Sequence, residues 1–159
     1  MLLAILFLMP VEPLYSEENS EQIKSQVRVL IDETRGSPDW EYIGETKHGY
    51  VGFLGKDRFK IKGPERRAWT KVFVKNGESV KTKYGKEVTL IYLLTHRIYD
   101  CSLKRISDIK SVNYYSDGTN ESLDYTAFYK SYPEKRWTEI VPGSIGDVLL
   151  KFVCGYDPK

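Results

Sequence analysis

The chain is poor in the residues that most catalytic chemistry needs. It has only two histidines and two cysteines among 159 residues. No HExxH, CxxC or EF-hand pattern occurs, so the common metal-site signatures are missing. No nucleophile elbow is present either. His96 and Asp100 would share a strand face, but about 13 Å apart by strand rise, too far for a base and its orienting carboxylate. Asp117-Gly118-Thr119-Asn120-Glu121 superficially resembles part of a calcium loop, yet Asp-Gly is better explained as a hairpin turn. These shortages point away from an enzyme, and no cofactor or metal is expected.

Long hydrophobic runs are also missing. The longest, Met1 to Met9, has nine residues, whereas a transmembrane helix needs about 20. No transmembrane span is therefore expected. A run of roughly 7–15 suits the hydrophobic region of a signal peptide. Leu14-Tyr15-Ser16 offers a small residue for cleavage after Ser16, and a polar stretch, Glu17-Glu18-Asn19-Ser20-Glu21, follows. Residues 1–16 are accordingly read as a signal peptide. A buried N-terminal element is the alternative, since no Lys or Arg precedes the run. No cysteine stands near the cleavage point, so a lipid-modified terminus is not supported. The expected location is the periplasm, the cell surface or the extracellular space.

An exported chain meets oxidising conditions, in which disulfides persist. Cys101 and Cys154 allow one intramolecular pairing; two separate buried thiols are the alternative. The remaining chain of about 140 residues suits one domain. Residues 17–38 are read as a leader or short helix and 39–159 as that domain.

What the chain has in quantity is unevenly placed charge. The net charge is +2, but residues 17–45 carry −5, residues 46–110 carry +10 and residues 111–159 carry −2. The cationic middle suggests an anionic partner. Lys56, Arg58, Lys60, Lys62, Arg66 and Arg67 crowd a short stretch with Phe59 and Trp69. Cations neutralise sulfate, phosphate or carboxylate groups, and aromatic faces add stacking or cation–π contacts. An extended chain would show Lys56, Arg58, Lys60 and Lys62 on one face. A charged edge strand that resists aggregation is the plainer explanation of the same residues.

Hydrophobic periodicity places Ile23, Val27, Leu30 and Ile31 on one helical face within 17–36. Strand candidates follow over 40–45 and 48–54. Over 67–75 Ala68, Thr70, Val72 and Val74 alternate with Arg67, Trp69, Lys71, Phe73 and Lys75. Asn76-Gly77 reads as a turn and 80–87 as a mobile Lys-rich connection. Residues 88–100 read as a central strand, 104–115 as its hairpin partner and 137–141 as a last strand. Asn120-Glu121-Ser122 matches a glycosylation sequon but reads as turn. Ser144 is a good N-cap with Asp147 at N3. Ile145, Val148, Leu149 and Phe152 then form one apolar helix face, with Gly155 near its end. The expected fold is α+β: a twisted antiparallel sheet of about six strands, a C-terminal helix on one face and one disulfide.

The stretch from Trp137-Thr138-Glu139-Ile140-Val141-Pro142-Gly143-Ser144-Ile145-Gly146-Asp147 to Val153-Cys154 resembles the closing module of the surface-adhesin protein E family. Tyr99-Asp100-Cys101 and Tyr114-Tyr115-Ser116-Asp117-Gly118 resemble its middle, for a coverage of Trp40 to Cys154. The resemblance implies an exported bacterial protein with this sheet, helix and disulfide. It also implies binding to host matrix or plasma proteins, pairing as a homodimer, and a contact region around the first cysteine strand. Arg97, Lys104, Arg105 and Lys110 are the basic residues there. A sulfated glycan is the other partner the charge suggests, and nucleic acid is not expected in an exported protein. Two alternatives stand beside adhesion. One is a periplasmic structural or interaction protein, the other a small-molecule binder between helix and sheet.

Overall fold

A computed structural model describes residues 15–158. The apolar run and nearly all of the expected signal peptide lie outside the described residues. Helix α1 spans Tyr15–Gly36 and is followed by strands β1 (Trp40–Glu45), β2 (Tyr50–Gly55), β3 (Lys60–Lys62), β4 (Glu65–Lys81), β5 (Glu87–Asp100), β6 (Arg105–Tyr115) and β7 (Asn120–Asp124). Short helix α2 (Thr126–Ser131), a 3-10 turn at Pro133–Lys135, strand β8 (Thr138–Glu139) and helix α3 (Ile145–Gly155) complete the chain. All strand pairings are antiparallel. The order is β1-β2-β4-β5-β6-β7, with β3 on β4 and β8 on β6. The fold is therefore α+β as expected, but the sheet has eight strands rather than about six.

The extra strands are ones whose side chains give no apolar alternation. β3 is a wholly exposed Lys60-Ile61-Lys62, ordered by pairing with Arg67, Arg66 and Glu65. β7 contains the Asn120-Glu121-Ser122 sequon, so that segment is a strand and not a turn. Asn76-Gly77 is likewise no hairpin. β4 runs straight through it, and Val74–Gly77 bulge out between the Phe73↔Tyr92 and Glu78↔Leu90 pairs. Gly77 takes φ +67°, which favours glycine. The connection expected over 80–87 shrinks to Thr82–Lys86, closed by the Thr82 N–H on the Lys86 carbonyl at 2.9 Å. Asp117-Gly118 does turn β6 into β7, with Asp117 accepting from the Thr119 N–H at 3.0 Å.

A helix covers each sheet face. The stripe Ile23, Val27 and Ile31 of α1 packs with Val51, Phe53, Phe73 and Ile91. The α3 residues Leu149, Leu150 and Val153 pack on Leu54, Ala68, Val72, Tyr99 and Ile106. Alternation explains the split. Arg67, Trp69, Lys71 and Phe73 of β4 point to the α1 side, whereas Arg66, Ala68, Thr70 and Val72 point to the α3 side. Ser144 caps α3 by accepting from the Asp147 N–H at 3.3 Å, and Asp147 accepts from the Gly143 N–H at 2.9 Å. Cys101 and Cys154 are bonded, with Cα atoms 5.7 Å apart. The bond ties the end of α3 to the residue after β5. The space behind α3 is filled by side chains that are almost wholly buried, which counts against a small-molecule site between that helix and the sheet.

Candidate polyanion-binding face

The α1 helix covers only part of its face. Beyond its C-terminal end one register row crosses the sheet: Trp40, Gly55, Trp69, His96 and Lys110, on β1, β2, β4, β5 and β6. Residues directly opposite in a row share a face. The next row on that face holds Lys60, Arg67, Ile98 and Ser107, and the one after it holds Lys62, Glu65, Asp100 and Arg105. Pairing therefore assembles Lys60, Lys62, Arg67 and Lys110 on one face around Trp69 and His96.

Lys60, Lys62 and Lys110 are exposed and form no ion pair among the described residues. Arg67 lies 3.6 Å from Glu65. The His96 ring stacks on Trp69, with centroids 5.0 Å apart and planes within 10°. Burial holds the His96 pKa below its ordinary value, and the charges of Arg67, Lys60 and Arg58 push it further down. A histidine whose charge is opposed by three cations reports a positive local potential.

Lys71 sits where this face meets α1. Its ammonium is 4.5 Å from the Trp40 ring centre, 5.7 Å from Tyr92 and 5.8 Å from Phe73. It donates to Thr34 Oγ1 at 3.5 Å, and burial lowers its pKa. The aromatic faces substitute for a carboxylate there. Between Trp40 and Trp69 lies a cleft of about 340 Å³. Gly55 forms its floor, Leu94 one side, and Asp39, Asp57 and Arg58 its rim.

The other basic residues named from the sequence do not join this set. Lys56 and Arg58 lie in the turn before β3, not on an extended strand, so the alternation expected from Lys56 to Lys62 holds only for Lys60 and Lys62. Lys56 is 4.0 Å from Glu41. Arg58 still reaches the cleft rim, 3.4 Å from Asp57. Arg66 points to the α3 side and donates to the Gly63 carbonyl at 2.8 Å. Arg97, also on that side, is held by Asp108 through both its Nε and Nη2 atoms. Arg105 pairs with Asp100 at 3.2 Å and stacks on Trp137 at 4.3 Å. Lys104 occupies the β5–β6 turn with φ 52°. Trp40 and Gly55 carry no signal of this site in the sequence, because only strand pairing brings them beside Trp69; Lys71 already shares a face with Trp69 by the alternation of β4.

Asp100 shares the His96 face but is engaged by Ser102, the Leu103 N–H and Arg105. Among the described residues no group of three or more His, Cys, Asp or Glu is placed to hold a metal. No described helix is long and apolar enough to cross a membrane.

A family model described as surface-adhesin protein E matches residues 40–155. Among solved structures, Haemophilus influenzae protein E aligns at 12% identity with a TM-score of 0.44, over 76% of this chain and 87% of that one. No curated protein matches the sequence.

Proposed function

The chain belongs to the surface-adhesin protein E family, and from that premise we propose that it is an exported, non-enzymatic, adhesin-like protein that holds a polyanionic macromolecule on the α1-side basic face. Host matrix or plasma proteins with acidic segments, and sulfated glycans, are the partners that fit. The observation carrying this reading is the cluster of Lys60, Lys62, Arg67 and Lys110 around Trp69 and His96, with three of the four cations in no ion pair among the described residues. Such a patch steers an anion and releases little internal bonding on contact. Arg58 belongs to the same surface. The reading assigns residues 1–16 to a signal peptide and 39–159 to the binding domain. The burial of Val27 and Ile31 of α1 supports treating the 17–38 segment, which holds most of that helix, as part of the folded unit.

Retention on immobilised heparin, eluted by a salt gradient, tests the reading. Changing Lys60, Lys62 and Arg67 together to Ala should weaken binding about 3- to 150-fold, taking each exposed contact as about 0.2–1 kcal/mol. Changing Lys104 and Lys151, which lie away from the face, should have little effect. Equal elution of wild type and the triple variant defeats the reading. It would favour a periplasmic interaction protein whose partner docks elsewhere.

A further inference from the structure

The cleft between Trp40 and Trp69 has a shape that charge alone does not account for. Trp69 is stacked face-on against His96, its neighbour in the row, so its other indole face looks toward Gly55. Trp40 stands on the far side of Gly55. The two tryptophans are thus two strand spacings apart, about 10 Å, with a missing side chain between them. A Cβ at Gly55 would lie 3.4 Å from Trp69 Cβ and 3.5 Å from the Trp40 ring. The glycine keeps the slot open.

The rim is mixed. Asp39 and Asp57 offer carboxylate oxygens, while Arg58 offers donors. Two carboxylates beside an indole slot disfavour a uniformly anionic group, yet they accept well from hydroxyls. Electron-rich indole faces favour the C–H face of a ring. At about 340 Å³ the cleft is at the small end of ligand pockets, with room for about one ring.

We propose that this slot binds one hydroxyl-rich sugar ring carrying a single anionic substituent, a unit of an acidic glycan. The ring seats between Trp40 and Trp69, its hydroxyls donate to Asp39 and Asp57, and its carboxylate or sulfate meets Arg58 and Lys60. The assignment rests on the basic-face reading, since it places the slot as the specific part of a broadly cationic surface.

Tryptophan fluorescence titration and saturation-transfer NMR at low salt test it. The probes are a chondroitin sulfate tetrasaccharide, cellobiose, inorganic sulfate, adenosine monophosphate and hexaglutamate. Wild type should bind the tetrasaccharide best, with saturation reaching the ring C–H protons. Gly55→Val fills the slot and leaves every charge in place. It should lose at least tenfold in tetrasaccharide affinity while keeping heparin retention within about twofold. Trp40→Leu should do the same, and replaces Gly55→Val should that variant not fold. Unchanged tetrasaccharide binding in a folded slot variant overturns the proposal but leaves the basic face intact. Equal or tighter binding of adenosine monophosphate or hexaglutamate, or no tetrasaccharide binding by wild type, also overturns it. Loss of heparin retention only in the Lys60/Lys62/Arg67 variant separates failure of the slot from failure of the face.

Discussion

Removing the disulfide, by changing both Cys101 and Cys154 to Ser, should lower stability without altering the native fold. The two cysteines are 53 residues apart in sequence. Loop-closure entropy for that length gives about 4 kcal/mol at 25 °C. The native side loses little, because other bonds hold both ends. The Cys101 N–H donates to the Pro64 carbonyl at 3.1 Å. Leu149, Leu150 and Val153 keep α3 on the sheet, with exposures of 0%, 6% and 0%. A domain of this size has about 5–15 kcal/mol to lose, so the variant should stay folded at 25 °C. Its Tm should fall by about 8–16 °C, at 2–4 °C per kcal/mol. Urea unfolding followed by tryptophan fluorescence gives the free energy, and hydrogen exchange gives the protection of α3 amides. The m-value should rise slightly, since the open unfolded chain exposes more surface. A loss under about 1 kcal/mol would refute the loop-closure reasoning. Unprotected α3 amides in the folded variant would show instead that the bond itself holds the helix down.

Three other perturbations have defined outcomes. His96 has a folded pKa below its unfolded value of about 6.5. Its contribution to stability is therefore complete above that pH and declines as pH falls from there toward the folded pKa; the wild-type-minus-His96→Gln difference in urea midpoint should change only in that window. Leu149→Ala removes a wholly buried side chain and should cost about 2–5 kcal/mol in the same assay. Gly77→Val should be strongly destabilising, because its Cβ would meet Thr89 Cγ2 at 2.6 Å at a φ of +67°; a neutral effect by thermal melting would mean the β4 bulge relaxes.

Much of the scaffold was legible in the chain. The 3.6-residue stripe Ile23, Val27, Ile31 and the Ser144 cap both marked helices that formed. The alternation over 67–75 already sorted Arg67, Trp69 and Lys71 from Ala68, Thr70 and Val72. What local pattern could not convey was pairing. β3 and β7 have too little apolar alternation to be read as strands, and Asn76-Gly77 carries a turn signature that the flanking β5 ladder overrides as a bulge. The basic face was hidden for the same reason. Basic residues adjacent in sequence, Arg66 and Arg67, point to opposite faces. Residues far apart, Trp40 and Lys110, lie in one row. Arg97 and Arg105 looked available in sequence but are engaged by Asp108 and Asp100, acids brought across by the β5–β6 register.

The measurement that bears most directly on the basic-face account is chemical-shift mapping of the ¹⁵N-labelled protein with a heparin oligosaccharide. Shifts should centre on Lys60, Arg67, Trp69, His96 and Lys110 and weaken as salt is raised. A footprint centred instead on Arg66, Arg97 and α3, or one insensitive to salt, would contradict it.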